Sequence, residues 1–159
     1  MPKKRAWVEY VEHRYAATLT HHDGPVDLET LTATQSEIEL IKYHMVRYEE
    51  FRAGEPILVY KGRFGGYFIV DGHTRTRVQW DQGAKTLFAS VYTSSDPLVP
   101  GELNRIALDA GGGRQRRIWE VPVVDRVGQG TPAWETRRQE LLAEWRAEMQ
   151  ARQSAPDTP

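Results

Sequence analysis

Two short apolar runs, Ile57-Leu58-Val59-Tyr60 and Tyr67-Phe68-Ile69-Val70, constrain this chain more than any other feature. They are joined by Lys61-Gly62-Arg63-Phe64-Gly65-Gly66, whose three glycines suit a hairpin loop, and both are rich in β-branched and aromatic residues, so they are expected to pair as buried strands. Directly after Val70 the sequence reads Asp71-Gly72-His73-Thr74-Arg75-Thr76-Arg77-Val78-Gln79-Trp80-Asp81-Gln82-Gly83. The second strand therefore runs through a glycine into a short helix that stops at Gly83, and a further strand is expected over residues 86–92.

Elements on either side are read from pattern and punctuation. Residues 6–20 are aromatic and β-branched with partial alternation, which predicts one or two strands, and His21-His22-Asp23-Gly24-Pro25 predicts a loop. Thr34-Gln35-Ser36-Glu37 has the form of a capping box, and Ile38, Ile41, Met45 and Tyr48 recur on one face, which predicts a helix over 35–53 closed by Gly54 and Pro56. A helix over 100–110, a flexible loop at Gly111-Gly112-Gly113 and a strand over 117–124 are expected next. Thr131-Pro132 then starts a last helix, with Leu141, Leu142, Trp145 and Met149 as its apolar stripe. Residues 153–159 are expected to form a disordered tail.

Composition excludes several classes of function. With 159 residues, 40% hydrophobic and 27% charged, the chain reads as one globular domain rather than a multidomain enzyme. Mean hydropathy is -0.60 and no stretch suits a membrane span or a signal peptide, so a cytoplasmic protein with no membrane contact is expected. The absence of cysteine excludes disulfides, thiolate metal sites and thiol catalysis. A net charge of -1 gives no global attraction to nucleic acid, so contact with DNA would have to come from a local cluster such as Arg114-Gln115-Arg116-Arg117, which reads more readily as a solubilising loop.

The residues that carry chemistry lie where strand passes into helix. A helix N-terminus offers unpaired N–H groups and a positive dipole end to an anion, and Gly72 allows close backbone approach. Arg75 suits a phosphate or carboxylate, His73 suits proton transfer near neutral pH, and Asp71 suits a divalent cation or a nucleophile. The bland alternative is an ordinary turn with a packed histidine and solvated arginines. Lys61 and Arg63, on the hairpin, are candidates for contact with the same ligand. His21-His22-Asp23 contains metal-ligand types without a distant partner and reads as loop. Trp119, Trp134 and Trp145 read as packing residues rather than a stacking platform.

Residues 28–92 resemble the ParB/sulfiredoxin-like superfamily. The resemblance is carried by Leu28-x-x-Leu31, the Pro-Ile-Leu-Val strand from Pro56, the glycine-rich hairpin, the run from Tyr67 to Arg75, and Gly83-Ala-Lys-Thr-Leu-Phe-Ala-Ser-Val. It implies a single α+β domain over 1–128, with a C-terminal amphipathic helix over 129–152 that packs on the core or on a partner, including a second copy of the chain. It also implies that Gly72, His73, Thr74 and Arg75 hold the phosphates of ADP, ATP or CTP, with Mg²⁺ on Asp71, and Lys61 is added from its place on the hairpin.

Members of the superfamily include sulfinic acid reductases, CTP-dependent DNA partition clamps and ADP-dependent free-serine kinases. The reductases need a cysteine in the turn, which this chain lacks, and the clamps carry a Gly-Glu-Arg-Arg type turn followed by a long helix-turn-helix region. The Asp-Gly-His-x-Arg turn is closest to the kinases. Their upstream base, a glutamate, corresponds here to Gln35, which cannot remove a proton, and Glu37 stands two residues on as a substitute base or as the capping-box residue. Asp71, His73 and Glu37 are thus the catalytic candidates. The expected function is nucleotide binding coupled to phosphoryl transfer onto a small hydroxyl-bearing acceptor, or to hydrolysis. The alternative is a DNA-associated regulatory, partition or nuclease-like module that uses nucleotide as a switch.

Overall fold

Alternation along the central strands decides the architecture. In the computed structural model, which describes residues 4–15 and 18–154, β4 (Ile57–Lys61) and β5 (Tyr67–Asp71) form the expected antiparallel hairpin, with Leu58 opposite Asp71 and Lys61 opposite Tyr67. Ile57, Val59 and Ile69 face one side of the sheet, and Leu58, Tyr60, Phe68 and Val70 the other. Both sets are buried, so the sheet is covered on both faces, which is why these runs read as continuously apolar.

The sheet has five strands in the order β1-β6-β4-β5-β2, formed by β1 (Thr20–Asp27), β6 (Thr86–Thr93), β4, β5 and the short β2 (Leu31–Thr32). β6 runs parallel to β4 and antiparallel to β1, and β2 is parallel to β5. α1 (Lys4–Tyr15) and α4 (Leu98–Ala110) cover one face, where Trp7, Val11, Val99 and Leu103 pack on Tyr60, Val70 and Tyr92. The other face is covered by Leu28, Leu31, Ile38, Ile118 and Val121, with Trp80 of α3 (His73–Asp81) beside them. Full burial of such side chains contributes about 1.5–3 kcal/mol each. α2 (Leu40–Glu49) and the 23-residue α5 (Pro132–Ser154) form a third layer through Ile41, Met45, Phe51 and Leu141. The fold is α+β, as expected.

Four local expectations are corrected. Residues 6–15 are helix, because Trp7, Val11 and Tyr15 lie four apart and all pack against the sheet. The strand β1 passes through Gly24 and Pro25, where a loop was expected; it is an edge strand, so the missing N–H of proline interrupts no ladder. The helix expected over 35–53 starts at Leu40, because Ile38 and Glu39 form β3 and pair in parallel with β7 (Val123–Val124), and it ends at Glu49 with Glu50 left-handed. Residues 117–124 are mainly a 3₁₀ turn, Ile118–Glu120, and only Val123 and Val124 are strand.

The last helix starts at Pro132, as expected, and runs to Ser154, so Gln153 and Ser154 belong to it; residues 155–159 of the expected tail lie outside the described residues. The stripe of Leu141, Leu142 and Trp145 is spent on α2 and Phe51 within the chain.

Candidate functional site

Gly72 joins β5 to α3 with φ 105°, a backbone that side chains rarely adopt. A Cβ there would lie 2.5 Å from Cγ2 of Ile57, so glycine is needed both for the turn and for contact with the first residue of β4. The backbone N–H and the hydroxyl of Thr76 both donate to the Gly72 carbonyl, at 2.9 and 2.7 Å, and lock the first turn of α3. The amides of His73, Thr74 and Arg75 stand ahead of the helix's own hydrogen-bond ladder. Thr74 is half-buried, and its hydroxyl has no partner among the described residues.

His73 points inward and is 2% exposed. Its Nε2 accepts a 2.9 Å hydrogen bond from the Thr34 backbone N–H, and the Thr34 hydroxyl donates to the Ile69 carbonyl at 2.5 Å. Burial pushes the imidazole down to about 3, so it is neutral at physiological pH. In this geometry the ring ties residue 34 to the turn, and the proton-transfer role expected of it has no path to solvent.

Arg75 is largely committed inside the chain. Its Nη1 donates to the carbonyls of Glu55 (2.7 Å) and Pro56 (3.2 Å), and its Nη2 lies 3.4 Å from Oδ2 of Asp71. Burial pulls the guanidinium below its ordinary value, against the opposing pull of Asp71 and Glu55. The Asp71 side chain is 44% exposed, and this long contact is its one ion pair among the described residues. The turn therefore presents backbone N–H groups, the Thr74 hydroxyl and a half-exposed carboxylate, with Arg75 as a strut behind them.

The remaining expected residues lie in other surroundings. Glu37 is gripped in two contacts by Arg126, at 2.9 and 2.8 Å, which lowers its carboxyl below the usual range and makes it a weak base. It makes no capping box, since α2 starts three residues later. Gln35 donates from its side chain to the Glu37 carbonyl. Lys61 sits opposite Tyr67, whereas Asp71 sits opposite Leu58, so the hairpin lysine is at the other end of the sheet from the turn.

The basic cluster is bound inward. Arg116 donates to the carbonyls of Ser36 and Ala110, Arg117 to the Thr32 hydroxyl, and Arg114 pairs with Glu120. His21 stacks on Tyr92 within β1, and among the described residues no group of three or more His, Asp or Glu is placed to hold a metal. Trp119 stacks on Trp80 at 4.5 Å and remains 40% exposed, while Trp134 and Trp145 pack against α2 and Phe51.

Sequence reasoning missed Glu55. Its carbonyl holds Arg75, while its carboxylate accepts from Trp145 Nε1 and Arg152, both at 3.1 Å, and pairs with Arg52. No local signal marks its tie to the site, because Arg75, Trp145 and Arg152 lie 20 to 97 residues away. Thr34 was also missed as a partner of His73, although its place beside Gln35 was the one available clue.

No protein-family model matches the chain, and no curated protein matches it. Among the described residues no helix is long and apolar enough to cross a membrane. The solved structures similar to it include the following two. One is protein Atu1540 from Agrobacterium tumefaciens, with TM-score 0.44 and 16% identity over 64% of this chain and 58% of that one. The other is a Pnob8-like ParB-N domain, with TM-score 0.38 and 17% identity over 86% of this chain and 50% of that one. The chain thus spans only half to three-fifths of either structure.

Proposed function

We propose that the turn at residues 71–75 binds the phosphates of a nucleotide together with Mg²⁺. The observation that carries this reading is the left-handed Gly72, which ends β5 and opens α3 so that the first helical amides, the partnerless Thr74 hydroxyl and half-exposed Asp71 lie together. Backbone N–H groups at a helix start suit phosphate oxygens, and Mg²⁺ commonly takes one or two carboxylates together with those oxygens, a demand that Asp71 fits. Arg75 completes the charge balance through whatever hydrogen-bonding capacity the Glu55 and Pro56 carbonyls leave free. With a nucleotide so held, the chain would catalyse phosphoryl transfer to a hydroxyl-bearing acceptor or hydrolysis by positioning and charge stabilisation. Mg²⁺ would neutralise charge developing on the phosphates.

A second reading, in which nucleotide acts as a switch in a DNA-associated module, is favoured by one observation. Gln35 is no base and Glu37 is held by Arg126, so neither residue expected to act as a general base before α2 is a free carboxylate.

Calorimetric titration with ADP, ATP and CTP in Mg²⁺, followed by product analysis, tests both readings. Thr74→Glu places a carboxylate at the start of α3, where it favours the helix and repels phosphate, so it should abolish binding in a folded protein. Binding that survives this substitution refutes the phosphate turn. Turnover of the bound nucleotide supports the first reading, whereas binding without turnover, with DNA affinity that falls steeply with salt, supports the second.

A further inference from the structure

The other end of the sheet carries a cavity of about 260 Å³ that the turn does not reach. It opens where the parallel strands β4 and β6 both reach their C-terminal ends, one leading into the hairpin and the other into α4, an arrangement that leaves a crevice between diverging chains. Lys61, Arg63, Ser94, Ser95 and Asp96 line it, above the buried Tyr60. The Tyr60 hydroxyl donates to the Ser94 hydroxyl and accepts the Ser94 N–H, both at 3.1 Å, so the wall is held in place. Asp96 places Oδ1 on the Leu98 N–H at 2.8 Å, where it caps α4.

The two cations here are not spent on carboxylates, unlike many of the chain's arginines. Arg52, Arg75, Arg77, Arg126, Arg138 and Arg152 each hold a carboxylate, whereas Lys61 and Arg63 are exposed and have no partner among the described residues. The Ser95 hydroxyl is likewise without a partner there. Two cations against one capping carboxylate, with a free hydroxyl beside them, give the pocket a net positive lining suited to an anion. Phe64, next along the loop, is fully exposed, so the hairpin tip has spent none of its apolar surface on the chain itself.

We propose that this cavity is a second ligand site, separate from the turn, which binds a small phosphorylated molecule with its phosphate between Lys61 and Arg63. The volume lies below that of pockets built for a whole drug-sized ligand or nucleotide, about 300–1,000 Å³, and suits a phosphate on a short organic chain. The strand β5 separates the two sites by four residue steps, about 14 Å at ~3.4 Å per residue, so a ligand here lies outside the reach of a phosphoryl group held at Gly72. It is an effector site rather than the acceptor site of a transfer.

Amide ¹H–¹⁵N spectra of the full chain, titrated at constant ionic strength with glycerol 3-phosphate and with inorganic phosphate, test the proposal; succinate serves as a dianion without phosphate. Saturable shifts are expected at residues 61–63 and 93–95, kept in Thr74→Glu protein and weakened about tenfold or more by Lys61→Met with Arg63→Gln. Both of those side chains are exposed, so the double variant keeps the fold. The proposal is overturned by shifts confined to residues 72–75, by no saturable shift at the hairpin, by shifts that survive the double variant, or by an equal response to succinate.

Discussion

At one end of the central sheet, where β5 passes into α3, three prominent side chains have internal partners: His73 holds Thr34, Thr76 holds Gly72, and Arg75 holds Glu55 and Pro56. At the other end, the end of β4 and its hairpin leave Lys61 and Arg63 without partners among the described residues and Phe64 fully exposed. The sequence draws the eye to the first end because its residues are chemically distinctive. Yet much of what makes them distinctive is spent on holding the turn, and a ligand there is left with backbone N–H groups, Thr74 and Asp71. Motif residues and available residues overlap only in part.

Substitutions can break this contrast, beginning with the glycines. Gly72→Ala puts a Cβ 2.5 Å from Ile57 at positive φ and should cost about 3 kcal/mol in urea unfolding. Gly65→Ala at the hairpin also has positive φ but meets nothing within 4 Å, and should cost about 1 kcal/mol. Equal losses at the two glycines would remove the distinction between a packed turn and an open one.

The next effect is a pH dependence. The folded His73 is neutral down to about 3, whereas the unfolded imidazole takes up a proton near its ordinary value of 6.5. Between those limits the unfolded state binds more protons, so stability is full above 6.5 and falls as pH drops, at about 1.4 kcal/mol per unit, or roughly 2 kcal/mol by pH 5. His73→Gln should flatten stability between pH 7 and 5, and an unchanged slope in that variant would assign the acid loss to another group.

Smaller again is Arg75→Met, which leaves the Glu55 and Pro56 carbonyls without their donor. It should destabilise by about 1.5 kcal/mol and weaken nucleotide binding together. Loss of binding with no loss of stability would show that the guanidinium serves the ligand more than the fold. Arg126→Ala, which removes an exposed side chain and frees Glu37, should leave thermal unfolding unchanged and should sharpen the choice between switch and enzyme. A rise in nucleotide turnover would mark Glu37 as a base held in check.

How much of this was legible in the sequence follows from where the partners lie. The hairpin, the glycine-led α3 and β6 were readable because alternation, glycine and short range suffice to specify them. α1 was misread because aromatic and valine residues favour strands, although the spacing of Trp7, Val11 and Tyr15 fits a helix packed on one side. The late start of α2 depends on a pairing between Ile38 and Val123, 85 positions apart, which overrides the local capping pattern. At the site, Gly72 was legible because it needs only its own backbone, whereas the ties from His73 to Thr34 and from Arg75 to Glu55 exist only once distant segments meet.

Glu55 also sets how the molecule opens. Its side chain grips Trp145 and Arg152 of α5, while its carbonyl grips Arg75. α5 is further tied to α2 by Arg138 on Glu49 and to Arg52 by Glu148. Detaching the last helix therefore loosens the segment that braces Arg75, so the two belong to one cooperative opening unit in hydrogen exchange, and the amides of α5 and of residues 55–57 should lose protection at the same rate.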